Sequence, residues 1–248
     1  MAKFTNRYII IYSIIMVAIV AILLTLGATA LKPFQDKNKK NEKIGYILRA
    51  SRQNFDEKNA EDTYKQLLIK EIAINEKGEI IAEFDYDNGL KGDVRPFDID
   101  INSEVKKFKD GDSYIMPIYL IQNNNDTLTV IPFYGMGLWG AIWGYVALEN
   151  DLNTIHGAVF DHKGETPGLG AEISGLPFQE QFIGKKIFDE NNQFTSIAVV
   201  KGGVKHSNIP EIHGVDAISG GTFTSKGLGN MLIDGFKMAM PYLEKHKK

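Results

Sequence analysis

At 248 residues, 44 % hydrophobic and 24 % charged, the chain has the composition of a globular protein with room for one sizeable domain plus a small appendage. A net charge of −3 offers no basic surface for nucleic acid, and no RNA-module or helix-turn-helix signature argues otherwise. The absence of cysteine excludes disulfides, thiolate metal sites, cysteine-ligated iron–sulfur clusters and cysteine nucleophiles together.

The N-terminus reads as a short tail (1–7, MAKFTNR) followed by YIIIYSIIMVAIVAILLTLGATAL, with no charged residue from Tyr8 to Leu31. A membrane span needs about 20 apolar residues, so 8–31 is predicted to be a transmembrane helix. Ala28-Thr29-Ala30 has the small-x-small form of a signal-peptidase site, but the apolar run exceeds the roughly 7–15 residues of a signal h-region, which favours an uncleaved anchor. Lys3 and Arg7 precede the span, whereas Lys32, Lys37, Lys39, Lys40, Lys43 and Arg49 follow it. Lysine and arginine counting would keep the following domain inside, although long domains cross membranes largely regardless of charge.

Residues 32–43 (KPFQDKNKKNEK) read as a solvated juxtamembrane linker, and no repeat or Pro-rich segment divides the remainder, so 44–248 is expected to form one domain. Residues 55–72 have helical spacing at Tyr64, Leu67, Leu68 and Ile72. Runs at 79–84, 114–122, 127–133, 142–148, 154–161 and 195–201 are rich in β-branched and aromatic residues and bounded by Gly, Asn or Asp, as strands are. In the last segment Leu228, Met231, Leu232, Gly235, Phe236, Ala239 and Leu243 recur at helical period, predicting a helix over 226–243 with Ser225 or Thr224 as its cap and Pro241 cutting or kinking its final turn. Strands outnumber helices without alternating with them. The expected class is α+β, with one N-terminal span, a mainly antiparallel sheet and flanking helices.

Gly135-Met-Gly137-Leu-Trp-Gly140 matches G-x-G-x-x-G letter for letter, yet a dinucleotide fingerprint must open a helix, and AIWGYVALEN follows it like a strand. The segment reads as a strand-to-strand turn, or as a ligand wall in which Trp139 and small residues flank a flat ring. Asp85-Tyr-Asp87-Asn-Gly89 lacks the glycine register and terminal glutamate of a calcium loop and reads as a turn. His156, His162, His206 and His213 form no i, i+4 pair, so no metal site is expected. There is no G-x-S-x-G elbow and no P-loop, and no catalytic residue is assigned.

Two glycine-rich loops remain, HKGETPGLGAEI at 162–173 and DAISGGTFTSKGLGN at 216–230. Their composition suits ordinary turns and a helix cap, but glycine also lets backbone approach a ligand, and the helix beginning after the second loop would turn free N–H groups toward an anion. The residues alone leave a turn, a phosphate site and a flat-ring site open.

ETPGLG at 165–170, GLWG at 137–140 followed by Tyr145-Val-Ala-Leu148, Asp151-Leu-Asn-Thr-Ile155 and DAISGGT at 216–222, in this order behind a single span, resemble the FMN-binding domain of the C subunit of the sodium-translocating NADH:quinone reductase. The resemblance covers nearly the whole chain. It implies one FMN per chain, joined through its phosphate to a threonine in a Ser/Thr-Gly-Ala-Thr sequence by a magnesium-dependent flavin transferase that uses FAD. Here that sequence is Ser219-Gly220-Gly221-Thr222, making Thr222 the attachment point, and Gly221 stands where the family usually has alanine. Asp216 matches the acidic residue of the transferase's recognition motif, and Thr224 or Ser225 opens the helix. By the same resemblance Thr166, Gly168, Leu169 and Gly170 help form the flavin site, with Trp139 as a neighbour, while Glu165 braces the loop.

The activity implied is that of an electron carrier, inactive alone, in an NADH:ubiquinone reductase that exports sodium. Its partners would be the other members of a membrane complex of six subunits, above all the flavin-bearing B subunit and the small membrane subunits, with the domain on the periplasmic side of a bacterial inner membrane. The G subunit of the homologous ferredoxin:NAD complex shares the motif and the span. A membrane-anchored assembly module that has lost its flavin through the Gly221 change is the alternative from another class.

Overall fold

The structure, a computed structural model, describes residues 5–247; residues 1–4 of the expected tail, Lys3 among them, lie outside these. The chain divides into two compact units, Met1–Lys43 and Ile44–Lys248. One helix, α1 (Asn6–Ala50), runs through the boundary. In the first unit it is long and apolar enough to cross a membrane. Thr25 and Thr29 donate their hydroxyls back to the carbonyls of Ala21 and Thr25, both at 2.8 Å, so these polar groups need no water. Residues 32–43, read from composition as a linker, are helical too and contain Pro33.

In the second unit α1 ends with Ile44, Ile47, Leu48 and Ala50 buried. There follow α2 (Ala60–Leu67), β1 (Leu68–Asn75), β2 (Ile80–Asp85), β3 (Gly89–Lys91), α3 (Ile101–Asp110), β4 (Ile115–Asn123), β5 (Asp126–Met136), β6 (Ala141–Leu148) and β7 (Ile155–His162). The chain closes with α4 (Leu176–Gln179), β8 (Ala198–Val200), β9 (Gly214–Asp216) and α5 (Thr222–His246). Seven strands form one sheet in the order β3-β2-β1-β4-β5-β6-β7, with every pair antiparallel, and β8 pairs with β9 in parallel. The architecture is the expected α+β class.

Alternation along the strands sends side chains to two faces. On one, Met116, Ile118, Ile131, Phe133, Ile142 and Val146 pack with Val105 of α3 and with Leu228, Met231, Leu232, Phe236 and Leu243 of α5. On the other, Tyr119, Ile121, Val130, Tyr145 and Val159 pack with Tyr64, Phe97 and the end of α1. Here the buried Glu71 carboxylate accepts from Arg95 Nη2 at 2.6 Å, Arg95 Nε at 2.9 Å, Tyr64 Oη at 3.1 Å and the Phe97 N–H at 3.2 Å, which answers the charge placed in this core. Close approach of α5 to β5 depends on Gly235, where a Cβ would overlap the Phe133 ring. That approach brings the start of α5 beside the β5–β6 hairpin.

Three expectations are corrected. The helix expected over 55–72 ends at Leu67, and 68–72 lie in β1, because Ile72 and Ala73 are needed between β2 and β4 and pairing overrides local helical spacing. The helix expected to start at Lys226 starts at Thr222 with Gly221 as its cap, and no side chain caps it. Thr224 and Ser225 therefore lie inside its first turns with their hydroxyls used elsewhere. Of the two outcomes expected at Pro241, a cut is excluded: the helix continues to His246 with Pro241 inside it.

Candidate functional site

Three segments converge at the N-terminal end of α5. The first is the 216–222 loop. Gly220 takes a φ of +73°, which suits a residue without Cβ, and the Gly221 N–H bonds back to the Ile218 carbonyl at 3.0 Å. Ser225 Oγ accepts the Ile218 N–H at 3.1 Å, folding the loop onto the first turn of the helix. Phe223 is left 69 % exposed at the start of the helix, while Thr224 and Ser225 are buried. Thr222, the first helical residue, lines the open ground in front of that end.

The second segment is the β5–β6 hairpin, closed by a 2.8 Å bond from the Gly137 N–H to the Gly140 carbonyl, so the G-x-G-x-x-G match is a strand-to-strand turn. Trp139 stands at its tip, 69 % exposed. The third is the loop after β7, turned by N–H bonds from Leu169 and Ala171 to the Thr166 carbonyl at 3.1 and 3.2 Å. Gly168 donates its N–H to Glu172 Oε1 at 2.9 Å and has a φ of +74°.

Between them lies a cleft of about 350 Å³. Thr222, Gly220 and Gly221 line it on the helix side with Phe223 and Thr224; Thr166, Leu169 and Gly170 line the loop side; Leu138 and Trp139 line the hairpin side. Of the residues singled out from sequence, Gly168 does not line this cleft. Asp216 and Ser219 line an adjoining one of about 640 Å³, which shares Gly220 and Thr222 and is bordered by Lys201 and Lys226. Asp216 is engaged within the fold: its Oδ1 accepts the Val204 N–H at 2.7 Å and holds the turn between β8 and β9.

Leu138 and Phe223 also line the cleft, although no sequence motif assigns them a role. Both are large apolar residues set in glycine-rich stretches of sequence, Leu138 in a turn and Phe223 at a helix start, and that setting is the available signal. The resemblance assigns Glu165 only a bracing role, whereas its carboxylate is buried and bonds to the other two segments.

The residues present fit a flavin nucleotide. The apolar surfaces of Leu138, Trp139, Leu169 and Phe223 suit a flat ring. The first-turn N–H groups of α5, with no side chain capping them, suit a phosphate.

Residues 137–237, which carry all three segments, match the FMN-binding domain family. Fold and cleft thus define a protein with an FMN-binding domain behind a helix able to cross a membrane. The chain is 32 % identical over 244 residues to the C subunit of the Na(+)-translocating NADH-quinone reductase of Haemophilus ducreyi, covering 92 % of this chain and 90 % of that protein. It is 30 % identical to the corresponding protein of Neisseria meningitidis serogroup B, covering 94 % and 92 %. The crystal structure of the C subunit from Parabacteroides distasonis superposes with a TM-score of 0.72 at 37 % identity, covering 86 % of this chain and 96 % of that one. The chain belongs to the family of C subunits of the Na(+)-translocating NADH-quinone reductase.

Proposed function

We propose that this chain carries one FMN, joined through its phosphate to Thr222 Oγ, and serves as a one-flavin relay between other subunits of a sodium-exporting NADH:quinone reductase. The observation that carries the reading is the place of Thr222: the first residue of a helix whose N-terminus no side chain caps, at the seam of two clefts. In the attachment step the Thr222 oxygen attacks the FMN phosphorus of FAD on a magnesium-dependent flavin transferase. The phosphoester bond forms, the pyrophosphate bond breaks, AMP leaves with the bonding electron pair, and the hydroxyl proton passes to a base of the transferase. Nothing is oxidised or reduced.

When bound, FMN supplies the electron chemistry. The chain's own residues hold and shield it. The first-turn N–H groups of α5 would meet the phosphate; Thr166, Leu169 and Gly170 would form one wall, with Gly168 turning the loop behind it, and Trp139, with Leu138, the other. Ser219, Gly220 and Gly221 give the transferase access to the acceptor, and Asp216 belongs to the motif it recognises. Electrons that enter from NADH through other subunits pass on to the flavin-bearing B subunit and to quinone, coupled to sodium export, with the small membrane subunits as further neighbours. The span 8–31 crosses a bacterial inner membrane once, followed by the linker 32–43 and by the domain 44–248 on the periplasmic side.

The test is co-expression with the flavin transferase, followed by intact mass and in-gel flavin fluorescence under denaturing conditions. Wild type is expected to carry one FMN phosphoester, Thr222→Val none, and Thr224→Val one. Covalent FMN on Thr222→Val refutes the attachment point, and a non-fluorescent wild-type band refutes the carrier reading in favour of an unloaded assembly module.

A further inference from the structure

Glu165 is 4 % exposed although it lines the cleft. Its two oxygens serve opposite walls: Oε1 accepts the Trp139 N–H at 2.8 Å at the hairpin tip, and Oε2 accepts the Thr224 hydroxyl at 2.5 Å within α5. Its own N–H donates to His162 Nδ1 at 3.1 Å. The space it occupies exists because positions 137 and 170 are glycine, where a Cβ would stand 2.5 Å from Oε1 and from Oε2 respectively. Among the described residues no lysine, arginine or histidine lies within ion-pair distance of it.

A brace alone does not call for a charge here. A glutamine could accept the Trp139 N–H with its carbonyl and donate its amide to the Thr224 oxygen, without burying a carboxylate that lacks a counter-ion. What the carboxylate adds is a fixed negative potential, weakly screened at this depth, on the wall of the cleft.

We propose that Glu165 is a positioning residue that also acts through its charge. It clamps the Trp139 hairpin to the first turn of α5 and holds the reduction potential of the flavin in this cleft down. This rests on the flavin reading above. Adding electrons to a flavin increases its negative charge, and a buried carboxylate nearby opposes that addition.

The experiment uses the full chain co-expressed with the flavin transferase and purified in detergent. Intact mass reports loading, flavin fluorescence anisotropy reports how firmly the ring is held, and spectroelectrochemical titration gives the midpoint potential. Glu165→Gln, which keeps the shape and removes the charge, is expected to load and hold flavin like wild type while its midpoint moves to more positive potential. Thr224→Val, which keeps the charge and removes a hydrogen bond that disperses it, is expected to move the midpoint to more negative potential. Glu165→Ala is expected to lose anisotropy because both walls come free. Opposite shifts in the first two variants are not a consequence of mere bracing. A loaded Glu165→Gln with the wild-type midpoint overturns the proposal; should that variant not fold, an unchanged or more positive midpoint in Thr224→Val does so. A wild-type chain without flavin, read directly from the mass, overturns the underlying reading and this proposal together.

Discussion

Gly170→Ala tests whether the three segments are locked together as the contacts imply. A Cβ at 170 would run into Thr224 Oγ1 and would lie 2.5 Å from Glu165 Oε2 and 3.0 Å from Thr224 Cβ, where ordinary contact begins at 3.4 Å. Both side chains are buried, so neither can swing into solvent. Relieving the overlap means parting Thr224 from Glu165. Overpacking a buried site costs about 1–3 kcal/mol, and a hydrogen bond to a charged group contributes about 1.5–3 kcal/mol. Against this, replacing glycine by alanine stabilises by about 0.4–1 kcal/mol through the unfolded chain. The net loss is about 2–5 kcal/mol, which lowers Tm by roughly 4–20 °C in a domain of this size. Scanning calorimetry of the detergent-solubilised chain measures it. Gly168→Ala is the control: its φ of +74° strains an alanine by about 1–2 kcal/mol, yet a Cβ there meets nothing, so the clamp stays whole. A Gly170→Ala melting point no lower than that of Gly168→Ala would show the clamp to be soft and the reasoning wrong.

Gly221 and two buried tyrosines give two further outcomes. At Gly221 the backbone has φ −97°, open to alanine, and a Cβ would stand 3.1 Å from Ile218 Cβ and 3.2 Å from the Gly170 N, tight contacts set against the unfolded-state gain. Gly221→Ala is expected to change stability by less than about 1 kcal/mol and to load flavin as wild type does; loading of the alanine form alone would mean that this glycine deprives the chain of its flavin. At alkaline pH, burial holds the Tyr64 and Tyr119 hydroxyls well above the ordinary tyrosine range, Glu71 adding to the effect at Tyr64 and Tyr145 at Tyr119. The unfolded chain loses these protons above about pH 10 while the folded chain keeps them, so stability is full below that pH and falls as pH rises beyond it. Urea midpoints at about pH 9 and about pH 11 are expected to differ in that direction, and equal midpoints would contradict it.

The long apolar helix and most strands were legible because each is a local pattern: a long uncharged run, or β-branched and aromatic residues between turn formers. Ile72 shows where local pattern fails. It continues the helical spacing of Tyr64 and Leu68, and only its register opposite Ile118 of β4 makes it strand. Helix α3 escaped notice because its sequence, INSEVKKFKD, is mostly polar; its signals are the Asp100 side chain accepting the Asn102 N–H and the left-handed Gly111 that ends it. At the site, sequence could mark the glycine loops but not their closure. Thr224 has the residue type and place of a cap, and its hydroxyl instead reaches Glu165, 59 residues earlier in the chain. No local rule carries that partner.

On the proposed attachment at Thr222, the contrast between neighbours on α5 has a physical logic. A group that receives a ligand from a separate enzyme has to be reachable, and one that then holds the ligand against a wall has to be immobile. One flexible loop would satisfy the first need and fail the second. Here Thr222 lines both clefts and Phe223 faces solvent, while Thr224 and Ser225, later in the same first turn, are buried and bonded to Glu165 and to the Ile218 N–H. The helix that carries all four is seated on the sheet by Leu228, Met231, Leu232 and Phe236 and drawn close to β5 at Gly235. The hydroxyl at the cleft is thus mounted on one of the most firmly packed elements of the domain. Functional sites gain precision in this way when they are built on helices rather than on loops. On the same proposal the missing side-chain cap of α5 has a use: a serine or aspartate at 221 would occupy the first-turn N–H groups and compete with a phosphate at Thr222.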